Sequence, residues 1–365
     1  MQKKKTSSRG SLEPNILMAE HCRLADFDGL DRERTLFILP LGSLEVHGYH
    51  LPNNTDMVSC VMMAKEAGII FARRHRDWRV VLMPLLNIGT DELPLPGSIE
   101  FSRKTVYRAL KEYARSLQRF GFKNLAITCG HGGPGHNLAI DDACRFNNKK
   151  YGMKMISPTI RVFQEFIFGK RFRAMEAELG RKLKPAEKKG LIDIEHAGGW
   201  ETSIMLAEAP ALVSRDFRTY TSSRIRLNRT VKKLAHIIGK VAVRLPIFKG
   251  LMQALGLPLE EGIRILLTGG KMYDNKKKRF TYSGDPSVAH ATIGRAFKAA
   301  ISKEITDLLE QVYITGAARP SDIVSNYSTI VFMRRDFRIV IGWIALFVLA
   351  AVILFVCYKA GILFR

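Results

Sequence analysis

The sequence has little cysteine, with five residues scattered through 365 and no CxxC pair among them. This spacing excludes a disulfide framework and indicates reduced thiols in a reducing compartment. Internal repeats and low-complexity tracts are also missing, and the hydrophobic share of 47% is ample for a packed core. Disorder is therefore not expected.

Acidic residues are scarce, since 34 Asp and Glu stand against 57 Lys and Arg, which gives a formal net charge of +23. Such an excess favours an anionic neighbour, either nucleic acid or acidic lipid headgroups. The chain shows no recognised nucleic-acid-binding motif, so the lipid surface is the favoured partner and nucleic acid the weaker alternative.

Long apolar runs are missing from the N-terminus, which therefore does not read as a signal peptide. Residues 339–358 are different, because they run without a charge for the length needed to cross about 30 Å of hydrocarbon. They predict a transmembrane helix. Basic residues flank it more heavily on the N-terminal side, which predicts a single-pass C-terminal membrane anchor with the large domain facing the cytoplasm. These residues are Arg334, Arg335 and Arg338 before the run, and Lys359 and Arg365 after it.

Between the termini, strand-like and helix-like patterns alternate, which is typical of an α/β fold with a mostly parallel sheet. The predicted strands cover residues 35–42, 80–89, 124–133 and 153–160, and the predicted helices cover 57–74, 102–120, 137–148 and 301–312.

The predicted segments differ in composition. They are a basic N-terminal extension (1–30), an α/β domain (31–314) with basic helical insertions near 163–189 and 215–265, a polar linker (315–338), the membrane span (339–358) and a short tail (359–365). The second insertion is either a solvated helix face packed on the core or a surface that lies on acidic lipid.

Metal-type ligands gather in the stretch EVHGYHLPNNTD, directly after the first predicted strand. Open α/β sheets place ligands at the carboxyl ends of their strands. The spacing of Glu45 and His47 puts both side chains on one side of an extended segment, and the Pro-Asn-Asn turn can return the chain to Asp56. Carboxylate and imidazole together favour zinc, iron or manganese.

A second candidate, His131, ends another predicted strand inside CGHGGPGHN, where Gly132 and Gly133 allow the backbone to approach a ligand. A lone histidine there is more often structural. Two strand ends that deliver histidine and carboxylate groups to one crevice favour a metal site instead.

The third cluster is IDIEHAGGWETS. Glu201 is a candidate to complete a metal shell, although a carboxylate in the first turn of a helix also favours the macrodipole without any metal. His196, oriented by the nearby Asp193, is the candidate general acid or base.

Four motifs in order resemble those of the creatininase (creatinine amidohydrolase) family. They are LPLGSLEVHGYHLPNNTD, GHGG, HAGGWETSIML and SGDPSVAHATIG, and the resemblance spans about residues 35–298. It implies a three-layer α/β/α fold, one or two divalent metal ions and hydrolysis of a non-peptide C–N amide bond in a small molecule, often by a homo-oligomer.

The resemblance also assigns roles by motif position. It matches His196 to the catalytic histidine and Asp193 to an acid close to it. Zinc is the expected metal, with iron and manganese as alternatives. The matched metal ligands are Glu45, His47, Asp56, His131 and Glu201, with Asp56 bridging two metals. Within the same motifs, His50 is not a usual ligand, and His50, Gly132 and Gly133 are interpreted as positions that support the ligands or bind substrate.

The motifs depart from the family pattern around His131. Gly133 stands where creatininase itself has a metal-binding glutamate, so the resemblance does not fix creatinine as the substrate. Cys129 stands where the family usually has asparagine, and Pro134, Gly135 and His136 intervene before Asn137. A catalytically inactive, membrane-tethered binding platform is the main alternative to an enzyme.

Overall fold

The computed structural model describes residues 13–192, 195–220 and 281–329. The predicted transmembrane helix, Asp193 and most of the second basic insertion lie outside them. Within the described ranges, no helix is both long enough and apolar enough to span a bilayer.

A parallel β-sheet forms the centre of the molecule. Its strands are β1 (Ile16–Met18), β2 (Thr35–Gly42), β3 (Arg79–Leu82), β4 (Leu86–Asn87), β5 (Asn124–Cys129) and β6 (Lys154–Ile156). The strand order is β1-β3-β2-β5-β6, and the short strand β4 pairs with the carboxyl end of β2.

Helices cover both faces of this sheet. The α-helices in the described ranges are α1 (Leu24–Asp28), α2 (Thr55–Arg74), α3 (Arg103–Gln118), α4 (Pro134–Tyr151), α5 (Thr159–Ile167), α6 (Phe172–Leu179), α7 (Pro185–Leu191), α8 (Gly199–Glu208) and α9 (Ala291–Tyr313).

The central strand β2 is buried along its whole length, as its continuous apolar sequence predicts for a parallel strand. Because successive side chains point to opposite faces, β2 contributes to two cores. Leu36 and Ile38 pack in the core with α2 and α9. Phe37 and Leu39 pack in the other core with α3 and α4. The predicted α/β fold with a parallel sheet is confirmed.

Three predicted segments differ from the structure. The strand predicted over residues 80–89 is broken into β3 and β4, and Pro84 between them has no N–H to donate to a ladder. Ile16–Met18 pairs with β3, so the sheet begins earlier than the predicted boundary at residue 31. Part of the predicted linker docks on the domain, since Ile323 is only 2% exposed within the apolar core.

Candidate metal centre

The chain after β2 brings the first ligand-type side chains to the carboxyl edge of the sheet. Two glycines let the first turn of α2 approach the strand ends closely. A Cβ on Gly42 would lie 2.9 Å from the Met57 Cα, and one on Gly130 would lie 2.2 Å from the Asp56 carbonyl oxygen. Asp56, the second residue of α2, is thereby held between the ends of β2 and β5.

Asp56 lies at the centre of two buried groups of ligand-type atoms. Its Oδ2 is 3.2 Å from the His131 Nδ1, which is itself 3.0 Å from the Glu45 Oε2. Its Oδ1 is 3.2 Å from the His47 Nε2, which is 3.5 Å from the Glu201 Oε2. The two triads are therefore Glu45, Asp56 and His131, and His47, Asp56 and Glu201, and the ligand atoms within each triad all lie within 4.8 Å of one another.

Backbone carbonyls fix the orientation of both histidines. His47 Nδ1 lies 2.9 Å from the Glu45 carbonyl oxygen, and His131 Nε2 lies 3.1 Å from the Thr90 carbonyl oxygen. Since a carbonyl only accepts, each of these nitrogens carries its proton and donates. In the neutral rings the opposite nitrogen then presents a lone pair to the carboxylates, which is the arrangement that metal-binding histidines use.

The donor set fits a cation. The His47 Nε2 and the Glu45 Oε2 are buried and have no hydrogen-bond partner within the described part of the chain. Lone pairs that face each other in a buried site repel unless a proton or a metal ion lies between them. Nitrogen and oxygen ligands in this mixture suit zinc, manganese or iron.

The close packing of carboxylates and imidazoles also shifts the pKa values of these groups in the metal-free chain. Burial opposes a charged imidazole, but the carboxylates of Asp56 and Glu201 outweigh it and raise the pKa of His47 to about 10. Burial also opposes ionisation of Asp56, yet His47 and His131 hold its pKa well below the usual range. Protons therefore take the place of the cation in the metal-free chain.

His196 lies beside both triads and, with Glu45 and His47, forms a third group whose ligand atoms lie within 4.8 Å of one another. Its ring centroid is 4.4 Å from that of His47, and its Nδ1 is 3.9 Å from the Glu45 Oε2. Its Nε2 donates to the Val46 carbonyl oxygen at 2.8 Å, which leaves Nδ1 directed to the ligand groups. A two-residue β-bridge between His196 and Ser283 fixes the backbone.

The segment after His196 delivers Glu201 in the first turn of α8. Its Oε2 accepts a hydrogen bond of 2.5 Å from the Ala197 N–H, and Ala197 itself has a positive φ of 51°. His50 ties this segment to the loop after β2, because its Nε2 lies 2.9 Å from the Ala197 carbonyl oxygen and 3.1 Å from the Thr202 hydroxyl. His50 belongs to neither triad.

The predicted glycine positions differ in their surroundings. A Cβ on Gly132 would meet no heavy atom within 4 Å, whereas one on Gly133 would lie 2.4 Å from the His131 Nε2. Gly132 therefore borders open space, and Gly133 allows the chain to pass directly beside a ligand ring.

Sequence reasoning gave no role to three groups near the triads, of which Glu92 and His136 are buried and Glu195 is half-buried. Glu195 accepts hydrogen bonds from the Trp200 and Glu201 N–H groups and so caps α8.

Glu92 is 4% exposed with no hydrogen bond to either carboxylate oxygen in the described ranges, and burial raises its pKa to about 7. The ring of His136 packs edge-on against that of His131 with centroids 5.1 Å apart. The sequence signal for Glu195 was its place in IDIEHAGGWETS, and that for His136 was the three-residue insertion before Asn137.

Comparison with known proteins decides the family. A family model described as creatininase, creatinine amidohydrolase, matches residues 20–309. The chain belongs to the creatininase family. The chain is therefore an amidohydrolase by family, and its buried histidine and carboxylate groups are candidate metal ligands.

Relatives of this creatininase-family chain agree with that placement. The creatinine amidohydrolase of Pseudomonas putida is 25% identical over 193 residues, which cover 50% of this chain and 67% of the relative. A crystal structure of creatininase matches with a TM-score of 0.54 and 17% identity, covering 82% of this chain and 98% of the other. A putative creatinine amidohydrolase from Bacteroides fragilis matches with a TM-score of 0.52 and 18% identity, covering 83% and 98%. At such identities these structural matches show the shared fold.

Proposed function

We propose that this chain is a metal-dependent amidohydrolase that cleaves a non-peptide C–N amide bond of a small molecule and is tethered to a membrane by its C-terminal run. The observation that carries the catalytic part is the pair of buried triads that share Asp56. Structural metal sites are usually closed by four ligands, whereas three protein ligands leave a position for water or substrate.

The two triads that share Asp56 would hold two cations. Glu45, Asp56 and His131 would hold one, and His47, Asp56 and Glu201 the other. Zinc is proposed as the metal, with manganese and iron as alternatives, and creatininase is known in a manganese form and a mutant of it in a zinc–zinc form. When bound, such a cation lowers the pKa of a water molecule towards 7 and polarises a carbonyl oxygen.

His196 is proposed to move the proton. Its Nε2–H is held by the Val46 carbonyl, so Nδ1 is the nitrogen that accepts a proton on the side of the ligand groups. The protonated ring then delivers that proton to the leaving nitrogen. Asp193 is proposed, from the sequence, to keep His196 oriented.

The substrate is proposed to be a small amide that enters beside Gly132, where the structure leaves open space next to His131. A creatininase mutant is known in complex with creatine, so cyclic amides of the creatinine type are the first compounds to test. Cyclic ureides, formamides and small peptides complete the panel.

The deciding experiment joins metal analysis to hydrolysis. The full chain, purified in an uncharged detergent, is measured for metal by mass spectrometry before and after chelation and is then tested on the amide panel. We expect hydrolysis that disappears on chelation and returns with Zn²⁺ or Mn²⁺. Turnover that persists without metal contradicts the mechanism, and tightly bound metal with no turnover on any amide favours the inactive binding platform.

Membrane tethering is supported by the sequence of residues 339–358 and by the basic residues that precede them. The test is alkaline carbonate extraction of membranes that carry the full chain or a chain ended at residue 338. Tethering predicts that only the full chain stays in the pellet, and protease digestion of sealed vesicles reports whether the large domain faces the cytoplasm. Light scattering of the detergent-solubilised chain tests the proposed homo-oligomer.

A further inference from the structure

A cleft of about 500 Å³ opens where α6 begins, and none of the candidate metal ligands is among its lining residues. Four basic side chains line it against a single carboxylate. They are Lys170, Arg173, Lys182 and Lys188, with Glu176 as the acid and Phe172 among the lining residues.

Three of the four cations of this basic cleft differ from their neighbours, because they form no ion pair within the described part of the chain. Around it, Arg171 pairs with Glu165, and Arg181 pairs with Glu187. Within the cleft, Lys188 is neutralised by Glu176 at 2.8 Å.

Lys170, Arg173 and Lys182 have no ion pair or side-chain hydrogen bond within the described ranges. All three are exposed at the cleft. Nearby acids therefore pair with the surrounding cations and leave Lys170 and Arg173 without a compensating charge within the described ranges, whereas Lys182 adds to the effect of Lys188 in lowering the pKa of Glu176. Like charges held together repel one another.

The backbone builds this arrangement. Gly169 and Gly180 adopt positive φ angles of 72° and 69°, a conformation that favours glycine. Gly169 lies just before the start of α6, and Gly180 lies directly after its end. The turns bring the start of α6 and the loop that precedes α7 to one opening. Three cations from two separate segments thus converge, which a single solvated helix face does not produce.

We propose that this basic cleft binds a phosphate group. An arginine fork and two lysine ammonium groups around an opening match the three acceptor oxygens of a phosphate monoester. The phosphate could come from a free anion or from a lipid headgroup, and the chemistry of recognition is the same in both cases.

The test is calorimetric titration of the full chain in uncharged detergent with two soluble probes, inorganic phosphate and dibutanoyl phosphatidic acid. The triple variant Lys170→Ala/Arg173→Ala/Lys182→Ala removes the three cleft cations that form no ion pair within the described ranges. The matched control Lys104→Ala/Arg108→Ala/Arg115→Ala removes the same charge from the exposed face of α3, where none of the three has an ion pair in the described ranges. Metal content and thermal unfolding confirm that both variants fold.

We expect the cleft variant to lose at least about 10-fold in affinity and the α3 variant to stay within about 2-fold of the unmodified chain. Equal weakening in both variants would show general attraction to a basic protein and would overturn the proposal, as would no measurable binding of either probe. Tighter binding of the short-chain lipid identifies a headgroup as the source, and equal binding of both probes identifies the phosphate alone.

Discussion

The Tyr327 hydroxyl donates a hydrogen bond of 3.2 Å to the carbonyl oxygen of Gly132, the residue that follows His131. Tyr327 lies beyond residues 20–309, which the family model matches, so this contact is added to the family domain from outside it. The same segment is anchored nearby, because the Ser325 and Ser328 hydroxyls both donate to the buried Asp141 at 2.5 Å.

Replacing Tyr327 by phenylalanine removes this bond and keeps the ring. We expect metal affinity to fall by up to about 10-fold, because one hydrogen bond contributes about 0.5–1.5 kcal/mol and this one steadies the loop that carries His131. The measurement is a competitive zinc titration with a chromophoric chelator. Tyr313→Phe is the control, since that tyrosine also donates to a carbonyl, that of Lys154 at 3.0 Å, away from the triads. Similar loss of metal affinity in both variants would mean that Tyr327 only contributes to general stability.

The shared position of Asp56 predicts a pattern of metal loss. Glu45→Gln removes a ligand from one triad and Glu201→Gln from the other, so each variant should retain about one metal ion per chain if the unmodified protein binds two. Asp56→Asn weakens both sites and should leave almost none, with activity lowered by more than about 100-fold. Metal per chain is read by mass spectrometry after dialysis. Glu304→Gln, which alters a partner of Arg171 outside the triads, should leave the metal content unchanged. Equal metal loss in all three ligand variants would indicate a single ion.

The triads also predict how pH acts on the metal-free chain. The pKa of His47 is raised to about 10 in the folded protein, against about 6.5 in the unfolded chain. The folded state therefore binds the proton more tightly, and this stabilisation is complete below about pH 6.5 and is lost as the pH rises towards 10. His131 is shifted in the same direction.

We expect the melting temperature of the chelator-treated protein to fall between pH 7 and pH 9, while the zinc-loaded protein changes less because metal replaces the proton. Thermal unfolding at four pH values with and without zinc measures both. His47→Asn should flatten the dependence in the metal-free protein. A metal-free melting temperature that is constant or rises over this range contradicts the assignment.

The sequence predicts that several candidate ligands converge, because parallel strands end at one edge of a sheet. Glu45, His47 and His131 follow β2 and β5, which pair directly, so their convergence follows from topology. Asp56 follows from the short turn and the start of α2. The contact of Tyr327 with Gly132 was not foreseen, because it joins residues 195 apart and leaves no trace in local periodicity.

Glu92 was missed for a different reason. A carboxylate in the loop after β4 reads as a solvated charge, and its burial depends on Gly89, where a Cβ would lie 1.9 Å from the Glu92 Oε1. The lack of a side chain at Gly89 makes room for the Glu92 carboxylate, and only the packed structure shows this. The predicted membrane helix and Asp193 remain predictions, since they fall outside the described residues.

Two glycines of one loop give a matched test of how the site is assembled. Gly130→Ala places a methyl group 2.2 Å from the Asp56 carbonyl oxygen, so either α2 or the end of β5 must move. Overpacking of this kind costs about 1–3 kcal/mol, and here the displaced backbone carries the residue that both triads share. We expect a lower melting temperature and metal affinity reduced at both sites. Gly132→Ala adds the same methyl group where no heavy atom lies within 4 Å, so folding and metal content should be nearly unchanged. If Gly130→Ala keeps full metal affinity while Gly132→Ala loses it, the close approach of α2 to the strand ends does not set the ligand geometry.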